Sequence, residues 1–458
     1  APRPRDRQLA IRDRTSGRPR GVGVMQFESI RDPSHRVTLS TALSRGLAPD
    51  GGLYVPERLP AADIEALQDA VTLPELALRM LAPFAAGDVL ETLLGQAASD
   101  AFSFPAPLTE VESESGHLSV LELFHGPTAA FKDFGARFLA AALERLPRDA
   151  NRRFTVLVAT SGDTGGAVAA AFYGRPWAQV VVLYPRGLVS ARQQQQLACW
   201  GGNVETLSVA GTFDDCQDLV KGAFADPVLT ESLRLSSANS INVGRLLPQM
   251  VYYAQASLVL AARDGAPASF IIPTGNLGNA LACIWAREMG LPIGDIILAT
   301  NANRTVVDYL AGGEWQPRPG VATLASAMDV GNPSNLERLR WLDPDRAALR
   351  GRLDAWAVGD EEIRDTIRRD WQELGRAWCP HTATAACLYR RLPASRRHGR
   401  WVIVATAHPA KFDEIVEPLI GERVPIPESL AEILARPRIE RQIAARPEEL
   451  HQALLEYR

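Results

Sequence analysis

From about residue 118 onward, runs of aliphatic and β-branched residues alternate with stretches of helical periodicity. Leu118–Leu123 reads as a strand and Phe131–Leu146 as a helix. Strands follow at Phe154–Ala159, Gln179–Tyr184 and Val204–Val209, with helices at Ala167–Tyr173 and 191–199 between them. One long helix is expected over Val243–Arg263. Strand Ser269–Ile272, helix Ala280–Met289 and strand Asp295–Thr300 come next. Trp401–Ala405 is a strand that feeds a helix through Phe412–Ile420. Strands separated by helices predict βαβ units and mostly parallel sheets, more than one of them. Residues 25–105 read as mainly helical, broken by the turn-rich segment Gly46–Leu53. The stretch after Pro425-Ile426-Pro427 is polar and helix-like.

This pattern divides the 458 residues into four parts. Residues 1–24 form an Arg-rich, disordered extension, 25–105 a mainly helical N-terminal domain, 106–246 a smaller α/β domain and 247–458 a larger one. The extension carries seven arginines against two aspartates and has no apolar core, so it is not a secretory signal.

Composition narrows the functional classes. A net charge of −4 gives no global attraction to nucleic acid or an anionic membrane surface. No apolar stretch approaches the roughly 18 residues of a membrane span. Cys199, Cys216, Cys283, Cys379 and Cys387 are scattered and lack metal-site spacing, as do the seven histidines. A reducing cytoplasm is expected, and no metal.

Three of the strand–helix junctions carry loops of glycine and small polar residues: Ser161–Gly165, Gly275–Asn279 and Thr406–Pro409. In open α/β sheets ligands sit at such loops, where helix N-termini offer free N–H groups to anions. None of the loops matches the dinucleotide or P-loop patterns. Taken singly, each is also explained by a tight turn.

The densest cluster surrounds Lys132, in Phe-His-Gly-Pro-Thr-Ala-Ala-Phe-Lys-Asp-Phe-Gly (124–135). At 100° per residue Lys132 falls near Leu139 and Leu143, while Asp133, Arg137 and Glu144 share the polar face. A lysine so placed is either a snorkelling cation or a desolvated amine able to form a Schiff base. Pyridoxal phosphate requires such an amine, a phosphate cradle and a partner for its ring nitrogen. The chain has candidates for all three.

Lys132 in its segment, the loop 160–165 (TSGDTG), the loop 273–278 (PTGNLG) and 406–412 (TAHPAKF) together resemble the threonine synthase family. The resemblance extends to 50–56 (DGGLYVP), 183–187, 239–245 (NSINVGR) and 328–335. It runs from about Met25 past residue 420 and is to the longer form of that family. It implies two α/β domains of the tryptophan synthase β type around a central cofactor cleft. It also implies pyridoxal 5′-phosphate as cofactor and O-phospho-L-homoserine as small-molecule substrate. The implied reaction is elimination of phosphate and addition of water to give L-threonine. The protein would act as a monomer or homodimer.

Carried over residue by residue, the resemblance makes Lys132 the cofactor-bearing and catalytic lysine. Gly275, Asn276, Leu277, Gly278 and Asn279 become the phosphate cradle, although Leu277 replaces the family's usual aromatic and Thr274 its common serine. Thr406 would face the pyridine nitrogen, and a helix N-cap is its alternative role. Asp163 would face the 3′ oxygen, where shorter relatives have asparagine; an Asx turn is the alternative. Thr160, Ser161 and Thr164 would take the substrate carboxylate. Asn239, Ser240 and Arg245 would hold its phosphate, a capped helix with a surface arginine being the alternative. His125, His408 and Lys411 have no settled role. Rival functions are a phospho-lyase releasing a keto acid, a silent binding protein on the same fold and a nucleotide-binding oxidoreductase.

Overall fold

The computed structural model describes residues 23–111, 117–147, 153–344 and 352–456. The expected Arg-rich extension therefore lies almost wholly outside the described residues.

Two parallel sheets dominate. The larger has six strands in the order Leu353–Ala357, Ile293–Thr300, Ala268–Pro273, Trp401–Ala405, Leu118–Glu122 and Leu108–Val111. All its pairings are parallel except the last. The second has five parallel strands: Arg441–Ala444, Val204–Ala210, Ala178–Pro185, Phe154–Ala159 and Leu235–Ser237. Continuous apolar runs suit such strands because helices cover both faces. Ala178–Pro185 accordingly has every residue buried.

The sheets do not follow the linear boundaries read from the sequence. Strands Leu108–Val111 and Leu118–Glu122 fall before residue 246 yet belong to the larger sheet, where Val120 pairs with Ile403. Strand Arg441–Ala444 falls in the C-terminal part yet completes the five-stranded sheet, Ile443 opposite Val209. Strand pairing over long sequence separations leaves no local signal. The C-terminal stretch is helical at Glu428–Leu434 and Pro447–Glu456, with this unanticipated strand between them.

The N-terminal part contains helices Leu39–Arg45, Ile64–Gln68, Leu73–Ala85 and Leu94–Ala101, as the periodicity suggests. It also holds a small antiparallel sheet of Arg36–Val37, Phe27–Ser29 and Tyr54–Pro56. Phe134 ties this region to the rest: its buried ring lies 5.8 Å from Phe102, 4.5 Å from Phe104 and 5.4 Å from Tyr252.

The helix expected over Val243–Arg263 is broken. Val243–Leu246 is α-helical, Leu247–Gln249 is a 3₁₀ turn, and Met250–Asp264 is a new helix. Pro248 has no N–H to donate to the preceding turn and its ring crowds that turn's carbonyl. The helix expected at Ala167–Tyr173 starts earlier, spanning Asp163–Phe172, so the glycine loop runs directly into its first turn.

Candidate active site

One cleft between the two large sheets is lined by Lys132, Thr160, Ser161, Asp163, Thr164, Asn239, Ser240, Arg245, Gly275–Asn279 and Thr406. Every cofactor and substrate residue expected from the sequence thus reaches a single cavity. Phe131, Gln249, Met328 and His381 join them.

Lys132 opens helix Lys132–Arg145, with its side chain 14% exposed toward the cleft. Burial lowers the pKa of its amine, and Lys411 and Arg245 add to the effect against the pull of Asp163. The segment before it is held in place by two backbone bonds to the end of strand Trp401–Ala405. Phe131 N–H donates to Thr406 O at 2.8 Å, and His408 N–H to Ala129 O at 3.0 Å. Asp133, expected on the exposed face, is instead buried. It accepts the Thr128 N–H at 2.8 Å and the Thr128 hydroxyl at 2.7 Å, which shapes the loop leading to Lys132.

Asp163 is the electrostatic centre of the cleft. Its two oxygens lie 2.8 Å from Lys411 Nζ and 3.6 Å from Lys132 Nζ, and Gln193 Nε2 donates to it at 3.3 Å. Burial alone would raise its pKa, but the two ammonium groups outweigh burial and hold it well below the usual carboxylate range. Its partners here are side chains, so the Asx-turn alternative does not describe it. Gly162, at φ 134°, is the loop's pivot, since a Cβ there would sit 2.5 Å from Gln193 Nε2.

Thr160 differs from its expected role. Its hydroxyl accepts N–H groups from Gly162 at 3.0 Å and Gly165 at 2.9 Å and donates to Gly162 O at 3.1 Å. That uses all its hydrogen-bonding capacity within the loop. Ser161 and Thr164 are only partly buried and face the cavity.

The Gly275–Asn279 loop precedes helix Gly278–Glu288. Gly275 packs so closely that a Cβ would meet Met328 Cα at 2.7 Å. Leu277 holds φ at 64°, a left-handed conformation costly for a side-chain-bearing residue, and its side chain is buried. Asn279 is committed to the loop: it accepts from Thr274 Oγ1 at 2.8 Å and donates to Pro273 O at 2.8 Å. Asn276 bridges outward, donating to Ser240 Oγ at 2.6 Å and accepting Ser334 N–H at 2.6 Å.

Arg245 is buried, not a surface residue, and donates to Ala238 O and, at 3.5 Å, to Lys132 O. Its Nε is buried without a partner among the described residues. Burial draws its pKa down to about 10, which leaves it a cation at neutral pH. Gly135 makes its passage possible, since a Cβ there would lie 2.9 Å from Arg245 Nε. Asn239 donates to Ala159 O at 3.2 Å and keeps an unpartnered, buried Oδ1.

Thr406 is buried and its hydroxyl has no partner among the described residues. It does not cap the following 3₁₀ turn; His408 does, accepting Ala410 N–H through Nδ1 at 3.2 Å. His125 pairs with Glu122 at 2.9 Å and does not line the cleft. His381 is a cleft residue that sequence reasoning passed over. Its Nε2 accepts the Ala327 N–H at 3.0 Å, and burial lowers its pKa to about 4. The neutral ring therefore carries its proton on Nδ1, which is buried without a partner. The only signal was a polar His-Thr-Ala-Thr run opening the helix Pro380–Arg391 ahead of its apolar middle.

Pyridoxal phosphate fits these residues. The cleft offers a desolvated amine, a helix N-terminus entered through a loop where Gly275 leaves no room for a side chain, and two buried donors, Thr406 Oγ1 and His381 Nδ1, that lack acceptors among the described residues. Among the described residues, no helix is long and apolar enough to cross a membrane.

The family model for pyridoxal-phosphate-dependent enzymes matches residues 103–407. The models for the threonine synthase N terminus and C-terminal region match 26–102 and 382–454. The chain is 42% identical over 413 residues to a threonine synthase of Serratia marcescens, covering 89% of this chain and 94% of the relative. It is 40% identical over 424 residues to that of Escherichia coli, covering 92% and 97%. The crystal structure of threonine synthase from Escherichia coli superposes with a TM-score of 0.86 at 38% identity, covering 95% of this chain and 100% of that one. The pyridoxal-phosphate-bound threonine synthase from Brucella melitensis gives 0.85 at 34% identity, covering 94% and 99%.

Proposed function

Since the chain belongs to the threonine synthase family of pyridoxal-phosphate-dependent lyases, we propose that its cleft converts O-phospho-L-homoserine and water into L-threonine and phosphate, with Lys132 carrying the cofactor. The observation that supports this most directly is the convergence of Lys132, Arg245 and the unpartnered Thr406 hydroxyl on one cavity floored by Gly275–Asn279.

When bound, pyridoxal phosphate supplies a conjugated electron sink for charge developing on the substrate's carbon chain. The N–H groups of the Gly275–Asn279 loop and the N-terminus of helix Gly278–Glu288 would hold the cofactor phosphate. Thr406, whose buried hydroxyl has no partner among the described residues, would donate to the ring nitrogen. A neutral hydroxyl there would not hold that nitrogen protonated as a carboxylate would. Asp163 would lie on the side of the cofactor's 3′ oxygen.

Lys132 is the base at the substrate's Cα and Cβ. Its lowered pKa raises the fraction of neutral amine available near pH 7. Ser161, Thr164 and the loop N–H groups receive the substrate carboxylate, while Thr160 keeps that loop in shape. Arg245, with Ser240, holds the departing phosphate by charge-assisted hydrogen bonds. Asn239 presents an acceptor oxygen, so it suits a donor such as the substrate's amino group better than a phosphate oxygen. Five free, buried cysteines favour a reducing cytoplasm as its setting.

The test is a mass-resolved product assay with O-phospho-L-homoserine beside Lys132→Ala. Equal amounts of threonine and phosphate, abolished in the variant, are expected. Phosphate accompanied by a keto acid would refute the assigned product.

A further inference from the structure

A carboxylate with an amine on each oxygen asks for more than the roles above supply. Lys411 has no exposed surface; its Nζ lies 2.8 Å from Asp163 Oδ1 and donates to Thr128 O at 2.8 Å. Lys132 approaches the other oxygen at 3.6 Å. Only Lys132 of the two lysines lines the cleft. A buried ammonium persists when it is paired and hydrogen-bonded, and Lys411 meets both conditions from behind Asp163. We propose that Lys411 is a positioning residue whose charge cancels that of Asp163, so that the pair adds no net charge beside the working nitrogen of Lys132.

The proposal rests on the reading that Lys132 carries the cofactor. Asp163 and Lys411 then act together as one net-neutral hydrogen-bonding unit, where an asparagine would do the same with a single side chain. Removing Lys411 leaves the Lys132 nitrogen beside a lone anion, which favours its protonated form. Neutralising Asp163 leaves that nitrogen beside a lone cation, which disfavours protonation. Asp163 keeps Gln193 and its helix N-terminus in either background. The other groups are common to all variants: Arg245 beside Lys132, His381 and Cys379 facing Asp163, and Asp133 and His408 facing Lys411.

The experiment is a pH titration of the absorbance of the Lys132-linked cofactor in the holoenzyme, with melting temperature recorded in parallel. Lys411→Met should raise the midpoint by about one pH unit or more, and Asp163→Asn should lower it by about as much. The double variant should return close to wild type and melt above either single variant. Lys411→Arg should keep the wild-type midpoint. A purely structural Lys411 would change melting and leave the midpoints alone, which would overturn the proposal. So would a double variant whose midpoint stays with that of Asp163→Asn. If Lys411→Met does not fold, the double variant and Asp163→Asn decide the matter by the same comparison. If wild type shows no absorbance that depends on Lys132, the functional reading itself fails and the proposal falls with it.

Discussion

Asn276 Nδ2 donates to Ser240 Oγ at 2.6 Å, and this bond joins loop 275–279, proposed to cradle the cofactor phosphate, to loop 239–240, proposed to sit beside the substrate phosphate. The two loops lie on different sheets: 275–279 follows a strand of the larger sheet and 239–240 follows a strand of the five-stranded one. Asn276 also accepts Ser334 N–H, so a third segment is fixed by the same side chain. Asn276→Ala should weaken both phosphate sites at once. The partners are only partly buried, so leaving them unsatisfied costs about 1 kcal/mol, and cofactor affinity and substrate KM should each worsen by roughly 5-fold. Cofactor dissociation followed by fluorescence, together with steady-state KM, checks this; a change in only one of the two would contradict the shared role.

Thr160 shapes its loop through its hydroxyl. Thr160→Val leaves the N–H groups of Gly162 and Gly165 without their acceptor and should cost about 1–3 kcal/mol of stability. The serine variant keeps the oxygen and should retain most of it. Denaturant unfolding of both variants decides: equal stability for valine and serine would remove the loop-shaping role.

The two depressed histidines set an acid limit on stability. His381 and His408 each titrate near 4 in the folded protein, chiefly because they are buried, against about 6.5 when unfolded. The unfolded chain therefore binds protons that the native state refuses. Stability is full above about pH 6.5 and falls as pH drops toward 4. For His381, which is almost wholly buried, the loss is on the order of 3 kcal/mol. Urea unfolding across this window should show a shallower pH slope in His381→Gln, provided the variant still folds; an unchanged slope would assign the effect elsewhere.

Phe134 packs on Phe102, Phe104 and Tyr252, bridging the N-terminal region and the lysine helix. Phe134→Ala should destabilise by about 3–5 kcal/mol. Because Phe134 is two residues from Lys132, the loss should also loosen that helix's first turn. Hydrogen exchange should show deprotection at both 94–102 and 132–140; deprotection at one alone would mean the regions are not coupled there.

How much of this was legible in the chain depended on range. Local periodicity located the strands at 154–159 and 401–405 and the helix bearing Lys132, because each side chain's burial follows from its own segment. The fracture at Pro248 was also available, since proline's missing N–H is a local fact, yet the apolar run on both sides concealed it. Asp133 was misplaced because its partner, Thr128, lies in the loop outside the helical wheel. Lys411 and His381 could not be assigned from spacing: what defines them is Asp163 and the Ala327 backbone, far away in sequence. The chemistry of the cleft was legible where loops carry it and opaque where contacts between distant segments do.

Strand Trp401–Ala405 sits between Leu118–Glu122 and Ala268–Pro273. On the ribosome, at about 5–20 residues per second, it emerges roughly 15–60 s after the strand at 118–122. Until then both neighbours expose unpaired edges, and the shelf on which Thr406 must be mounted does not exist. The nascent chain can assemble most of its two sheets early. It can close the cleft only once Trp401–Ala405 has emerged, so the timing of competence is set by this central strand.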